Sequence, residues 1–204
     1  MRSIKASLSL AKKILWWGFN FWRYKKLGSL SYIDRPLRVN GANNIIIGKK
    51  VYIHYKSWIA SVPLTDVSSP ILIIGDESII GNFNHIYATK KIIIGKNVLT
   101  ADKVYISDNL HSYENPFIPI MKQKIKQNNE VIIGDGAWLG ENVCVLGANI
   151  GRNCVIGANS VVTNNIIDYS IAVGAPAKII KRFNFKTNNW ERTNPDGSFI
   201  NALR

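Results

Sequence analysis

Histidine, cysteine and acidic side chains are scarce in this chain of 204 residues. Two cysteines, Cys144 and Cys154, are too few for a disulfide framework and read as reduced core thiols of a cytoplasmic protein. Three histidines, His54, His85 and His111, stand far apart, and no HExxH, P-loop, nucleophile elbow or CxxC occurs. Those absences set aside the metallopeptidase, phosphate-loop, serine-hydrolase and thiol-redox classes. Thirteen acids oppose 26 bases, and a net charge of +13 calls for an anionic partner. The bases are spread out or gathered at the two ends with no nucleic-acid-binding motif beside them, so no nucleic acid is expected. The apolar stretch 14–22 is too short to span a bilayer and no small-residue cleavage site follows it. Neither a spanning helix nor a cleaved signal peptide is expected from it.

A period stands out against these absences. In 131–162, aliphatic residues recur at Ile133, Leu139, Val145, Ile150 and Ile156, a repeat of six with one step of five, several followed directly by Gly. A helix needs apolar residues every three or four positions and a plain strand every second one, so the period fits neither alone. It fits short strands joined by tight turns, each repeat forming one flat side of a coil whose stacked rungs bury an aliphatic core. Ordinary buried strands of a sandwich are the alternative. The same count runs through Ile47, Ile53 and Ile59, restarts at Ile74, Ile80 and Ile86, and restarts again at Ile94, Thr100 and Ile106. The expected fold is all-β, a parallel β-helix of hexapeptide repeats over residues 36–182. A basic amphipathic segment, 1–35, precedes it, and a loosely held polar tail, 183–204, follows. One long excursion loop, 107–130, is polar, contains two prolines and breaks the period; such loops usually carry function.

Residues 1–30 contain seven bases (Arg2, Lys5, Lys12, Lys13, Arg23, Lys25 and Lys26) and no acid. Ile4, Leu8, Ala11, Leu15, Phe19 and Trp22 fall on one face of a helix, which Trp16, Trp17 and Phe21 widen. Such a helix suits an anionic leaflet at the inner face of the plasma membrane, or the flank of the protein's own assembly.

Together, the run 131–162 and the segments Gly157-Ala158-Asn159-Ser160-Val161-Val162-Thr163 and Gly174-Ala175-Pro176-Ala177-Lys178 resemble the closing coils of hexapeptide-repeat acyltransferases. The resemblance is to the branch of galactoside, maltose and capsular-polysaccharide O-acetyltransferases. It implies a left-handed β-helix, a homotrimer, and acetyl-CoA as donor to a sugar or polysaccharide-precursor acceptor, with no metal.

Site residues follow from the same resemblance. Around His111, the stretch Ile106-Ser107-Asp108-Asn109-Leu110-His111 is similar to the loop carrying the catalytic His of that branch, and imidazole is a base near neutral pKa without perturbation. A loop histidine making only structural hydrogen bonds is the other reading. Asp108 is implied as the residue orienting His111, or else as a turn-former. Asn109 stands where the branch often has a further His. Gly81-Asn82-Phe83-Asn84 resembles an Asn-Phe-Asn motif that contributes to the acceptor site, which implies a catalytic role for Asn84 beside an acceptor role for Asn82; Asn84 also suits a coil corner. Trp138 is expected to point outward beside the acceptor, with Asn109 as a further contact. Gly140, Ala158, Ser160 and Thr163 match positions lining the CoA groove, with Lys178, Lys181 and Arg182 for its phosphates. Two other readings fit the same residues: a β-helical scaffold without catalysis, and a zinc β-helix enzyme of the γ-carbonic-anhydrase type using the histidines.

Overall fold

The computed structural model describes the backbone of residues 2–200 and the side chains of residues 10–200. Ile4 and Leu8 of the expected helical face and the bases Arg2 and Lys5 lie outside the described side chains, and 201–204 lie outside the described residues. After one helix, Arg2–Asn20, short strands separated by tight corners form three parallel sheets, the flat faces of a left-handed β-helix.

Interior columns explain the six-residue period. On the first face Leu27, Ile47, Ile74, Ile94, Ile133, Ile150 and Ile166 stack in register from coil to coil. Ile33, Ile53, Ile80, Thr100, Leu139, Ile156 and Ala172 line the second face, and Val39, Ile59, Ile86, Ile106, Val145 and Val162 the third. All but Val39 are buried. Each buried aliphatic side chain is worth about 1.5–3 kcal/mol, and β-branched Ile suits the pleated wall that contributes it.

Gly follows the first-face residue because the coils touch backbone to backbone there. A Cβ on Gly75 would lie 2.5 Å from the carbonyl carbon of Gly95, and one on Gly134 would lie 2.5 Å from the amide nitrogen of Arg152. Thr100 is the one polar residue in the columns. Its hydroxyl donates to Asn84 Oδ1 at 3.0 Å and accepts from the Gly81 amide at 3.0 Å, so its burial leaves no polar group unpaired.

The stack begins at Lys26–Leu27, ahead of residue 36, and includes Tyr32–Ile33 and Arg38–Asn40 as a first coil. The signal was in place: Leu27-Gly28, Ile33 and Val39 keep the step of six. At the other end Lys178–Asn184 turns back antiparallel to Ser170–Val173, and Asn189–Arg192 pairs with it in turn. The strand runs through residue 182, and the segment expected to be loose is tied into the second-face sheet. Cys154 is a buried core thiol, its Sγ donating to the Ile167 carbonyl at 3.0 Å, whereas Cys144 is half-buried on the outer side of the third face and is no core residue.

The helix packs on the start of the stack. Trp17 Nε1 donates to the Leu27 carbonyl at 3.0 Å, and Trp16 meets the Tyr32 ring edge-on at 5.4 Å. These two tryptophans turn inward, while Ala11, Leu15, Phe19 and Trp22 of the expected apolar face point outward.

Candidate active site

Between Ser107 and Val131 the chain leaves the coil as a two-stranded hairpin, Asn109–His111 pairing antiparallel with Ile125–Gln127. Its base is held by polar side chains. Asp108 is completely buried; its Oδ1 accepts from the Thr89 amide (2.8 Å) and hydroxyl (3.0 Å), and its Oδ2 accepts from the amides of Lys90 (2.8 Å) and Lys91 (2.7 Å). The carboxylate gathers the amides of the corner 89–91, as an anion does at any cluster of free N–H groups. Gln127 Oε1 accepts from the Thr65 hydroxyl at 2.8 Å, and Glu130 bridges Lys90 and Lys91. Asp108 therefore anchors the hairpin, and the expected orienting contact with His111 is absent because both carboxylate oxygens are engaged elsewhere.

So anchored, the hairpin stands over the outer side of the third face. Between them lies a cavity of ≈ 340 Å³ lined by Trp58, Leu64, His85, Tyr87, Tyr105, Asn109, Leu110, His111 and Ile125. His111 is exposed at its edge. The floor is an aromatic column created by strand register, Trp58 beside His85 beside Tyr105. His85 stacks on Trp58 with ring centroids 4.3 Å apart and planes 9° apart, and Tyr87 closes on both rings edge-on. Burial holds the His85 imidazole below its ordinary pKa of 6.5, so it is neutral at neutral pH. Its Nε2 is buried without a partner.

Counting coil sides in sequence places His85 on a second side, away from His111. The structure corrects this: His85 opens the third-face strand His85–Ala88 and lines the same cavity as His111. Trp58, Tyr87 and Tyr105 were also missed. Their signal is an aromatic ring directly before the interior Ile of successive coils, Trp58-Ile59, His85-Ile86 and Tyr105-Ile106, with Tyr87 after the second. His54 sits apart on the second face against Tyr52, and no group of three or more His, Cys, Asp or Glu side chains arranged to hold a metal occurs among the described residues.

Other expected site residues divide sharply. Asn109 lines the cavity, and its Nδ2 also donates to the Tyr87 carbonyl (3.3 Å) and Asp108 Oδ1 (3.2 Å). Asn84 does not reach it: its side chain is 1 % exposed, Nδ2 donates to the carbonyls of Asn82 and Ala101, and Oδ1 accepts from Thr100. The corner reading replaces the catalytic one, because the amide has no free hydrogen to offer. Asn82 is engaged with Asp102 of the next coil, its Nδ2 donating at 3.0 Å and 3.2 Å, and is an inter-coil tie. Trp138 is exposed as expected, but on the second face, where it continues a stripe with Ile79 and Leu99.

Of the residues expected along the CoA groove, Ala158, Thr163, Lys178 and Lys181 are exposed and free to meet a ligand. Ser160 is buried with its Oγ accepting from the Gly174 amide at 3.0 Å. Arg182 is half-buried, donates to the Gly197 carbonyl at 3.1 Å and covers the Phe199 ring, so it braces the tail. Gly140 is buried where a Cβ would come 2.7 Å from the Ala158 amide nitrogen; its role is to let two coils stack.

Comparison with known proteins agrees with this architecture. Residues 130–164 match the hexapeptide repeat of succinyl-transferase. Over 170 residues the chain is 36% identical to a galactoside O-acetyltransferase of Lactococcus lactis, covering 80% of this chain and 67% of that protein. The chain belongs to the hexapeptide-repeat acetyltransferase family. It is also 37% identical over 130 residues to a putative lipopolysaccharide biosynthesis O-acetyl transferase of Escherichia coli K12, covering 60% of this chain and 66% of that protein. The chain spans about two thirds of the length of the curated relatives it matches. Among solved structures, an N-acyltransferase of Bacillus cereus in complex with dTDP and coenzyme A superposes with a TM-score of 0.69 at 19% identity, over 83% of this chain and 89% of that one.

Proposed function

We propose that this protein is a cytoplasmic acetyl-CoA-dependent O-acetyltransferase acting on a sugar hydroxyl during assembly of a surface polysaccharide. One observation carries the reading: an exposed imidazole, His111, stands at the edge of an aromatic-floored cavity on a hexapeptide-repeat coil. His111 takes the proton of the acceptor hydroxyl as its oxygen attacks the thioester carbonyl. The C–O bond forms, the C–S bond breaks, and the proton passes to the departing thiolate, giving an acetyl ester and free CoA thiol. Trp58 and Tyr87 offer flat apolar surface to one side of the sugar ring, and neutral His85 completes that wall. Acetyl-CoA supplies the acyl group, and exposed Ala158, Thr163, Lys178 and Lys181 are free to meet it, the two lysines by charge-assisted hydrogen bonds to phosphate. Similarity to a galactoside O-acetyltransferase and to a putative lipopolysaccharide biosynthesis O-acetyl transferase supports the sugar acceptor. The coenzyme A bound by the Bacillus structure supports the donor.

Assembly as a homotrimer belongs to the same proposal. The exposed stripe Ile79, Leu99 and Trp138 is an apolar strip of sheet left uncovered in the protomer. Trimerisation would bring Trp138 of a neighbouring protomer toward a cavity that no second-face residue of the same protomer lines. Sedimentation equilibrium should give three times the chain mass, and a monomer at micromolar concentration would remove the shared site.

Release of thiol from acetyl-CoA across a panel of nucleotide- and lipid-linked sugars tests the function. Turnover on a sugar, unaffected by a chelator, is expected. Coenzyme A binding without thiol release on any sugar would favour a scaffold, and loss of turnover to the chelator would favour zinc chemistry.

A further inference from the structure

The N-terminal helix is amphipathic in an inverted sense. Trp16 and Trp17 turn toward the coil, and the side left to solvent carries Ala11, Ile14, Leu15, Gly18 and Phe19, with Trp22 just beyond. Phe19 and Trp22 are 74% and 71% exposed, as open as side chains on a polar surface. A soluble surface normally hides such residues, and a contiguous apolar patch of this kind marks a contact with something else. The charges beside it are positive: Arg23 and Lys25 are exposed just past the helix, Lys12 flanks it with its Nζ over the Tyr32 ring at 5.1 Å, and the first carboxylate in the chain is Asp34, which is engaged with Arg35.

We propose that this outward face is a docking surface for an anionic lipid bilayer, with Leu15, Phe19 and Trp22 entering the headgroup boundary and the lysines and Arg23 meeting the lipid phosphates. Aromatic and aliphatic side chains on one side of a helix flanked by bases suit that boundary, where Trp is favoured and each base adds attraction that salt screens. A rim of one sign also repels a second copy of the same patch, so charge selects a lipid surface over self-association. No helix of the described residues is long and apolar enough to cross a membrane, so the contact lies in the plane of the surface. Docking would hold the coil against a surface carrying lipid-linked acceptors. It stands on the helix geometry alone, apart from the reading of the cavity.

The test is co-sedimentation of the full chain with vesicles of phosphatidylglycerol and phosphatidylcholine, against phosphatidylcholine alone. Binding to the anionic vesicles only, weakened by salt, is expected. Replacing Phe19→Glu with Trp22→Glu should lower it by at least about tenfold, since two large apolar side chains lose their burial. Each of Arg23→Gln and Lys25→Gln should lower it about fivefold at low salt. Phe19→Leu with Trp22→Leu should retain most binding, and circular dichroism should show the coil intact throughout. Thiol release on a soluble acceptor should be unchanged by the Glu pair, so failure of the docking and failure of the catalytic reading are told apart. Equal pelleting of wild type and the Glu pair would overturn the proposal. So would a fall in oligomeric mass of the Glu pair without any vesicle binding by wild type, which would assign the face to a second copy.

Discussion

Residues 108–130 and 131–162 adjoin in sequence and follow opposite rules. In 131–162 interior residues arrive on a near-constant step and lock into three columns, so the segment is stabilised many times over by the same contact. In 108–130 the interior residue is a carboxylate. Asp108, Gln127 and Glu130 tie the base, while the tip stays in solvent, Phe117 being 92% and Met121 86% exposed. A regular coil presents flat walls, and a concavity arises only where the chain leaves the period and leans back over a wall. The second excursion, 62–70, does the same on a smaller scale, supplying Leu64 to the cavity and Thr65 to Gln127. Regularity supplies stability here, and departures from it supply the site.

Breaking the contrast at its joint should have the largest effect. Asp108→Ala leaves the amides of Thr89, Lys90 and Lys91 without their acceptor. With hydrogen bonds to charged groups worth about 1.5–3 kcal/mol each, denaturant unfolding should show a loss of roughly 4.5–9 kcal/mol. Turnover should fall with it as the hairpin detaches. In the regular segment Leu139→Ala should cost about 2–5 kcal/mol, with kcat per folded molecule unchanged, because the wall and not the cavity is emptied. Phe117→Ala at the hairpin tip should shift stability by no more than about 0.5 kcal/mol. A tip substitution costing as much as Leu139→Ala would erase the distinction between the two regions.

A smaller effect is expected from pH. The folded His85 has a pKa below 6.5, so the unfolded chain binds the proton more readily. Its contribution to stability is fully present above about pH 6.5 and is lost as pH falls below that value toward the folded pKa. His85→Phe, which keeps a ring against Trp58, should flatten the slope of unfolding free energy between neutral pH and about pH 5, above the carboxylate range.

The coil was legible in sequence because its rule is local: Ile-Gly and a step of six report directly on corners where backbones touch, and on columns where side chains stack. Leu27-Gly28 obeys the same rule at the end of the basic segment. The location of His111 on a departure from the period was legible for the same reason. Roles of the buried polar residues were not, since Asn84, Asp108 and Ser160 are settled by partners 14 to 19 positions away, on other coils. Nor was the pairing of His85 with the His111 cavity, which depends on which face each coil position occupies once an excursion has been inserted. The helix showed its apolar face in sequence but not its direction, because Trp16 and Trp17 on the other side satisfy the coil first.

The central claim is that His111 at the hairpin edge is the base of an acyl transfer. The most direct measurement is kcat for His111→Ala on an accepted sugar, alongside the dissociation constant for coenzyme A. General-base removal predicts a fall of about 10²- to 10⁴-fold in kcat with coenzyme A binding nearly unchanged. Near-full activity of His111→Ala would contradict the account and detach the cavity from the chemistry.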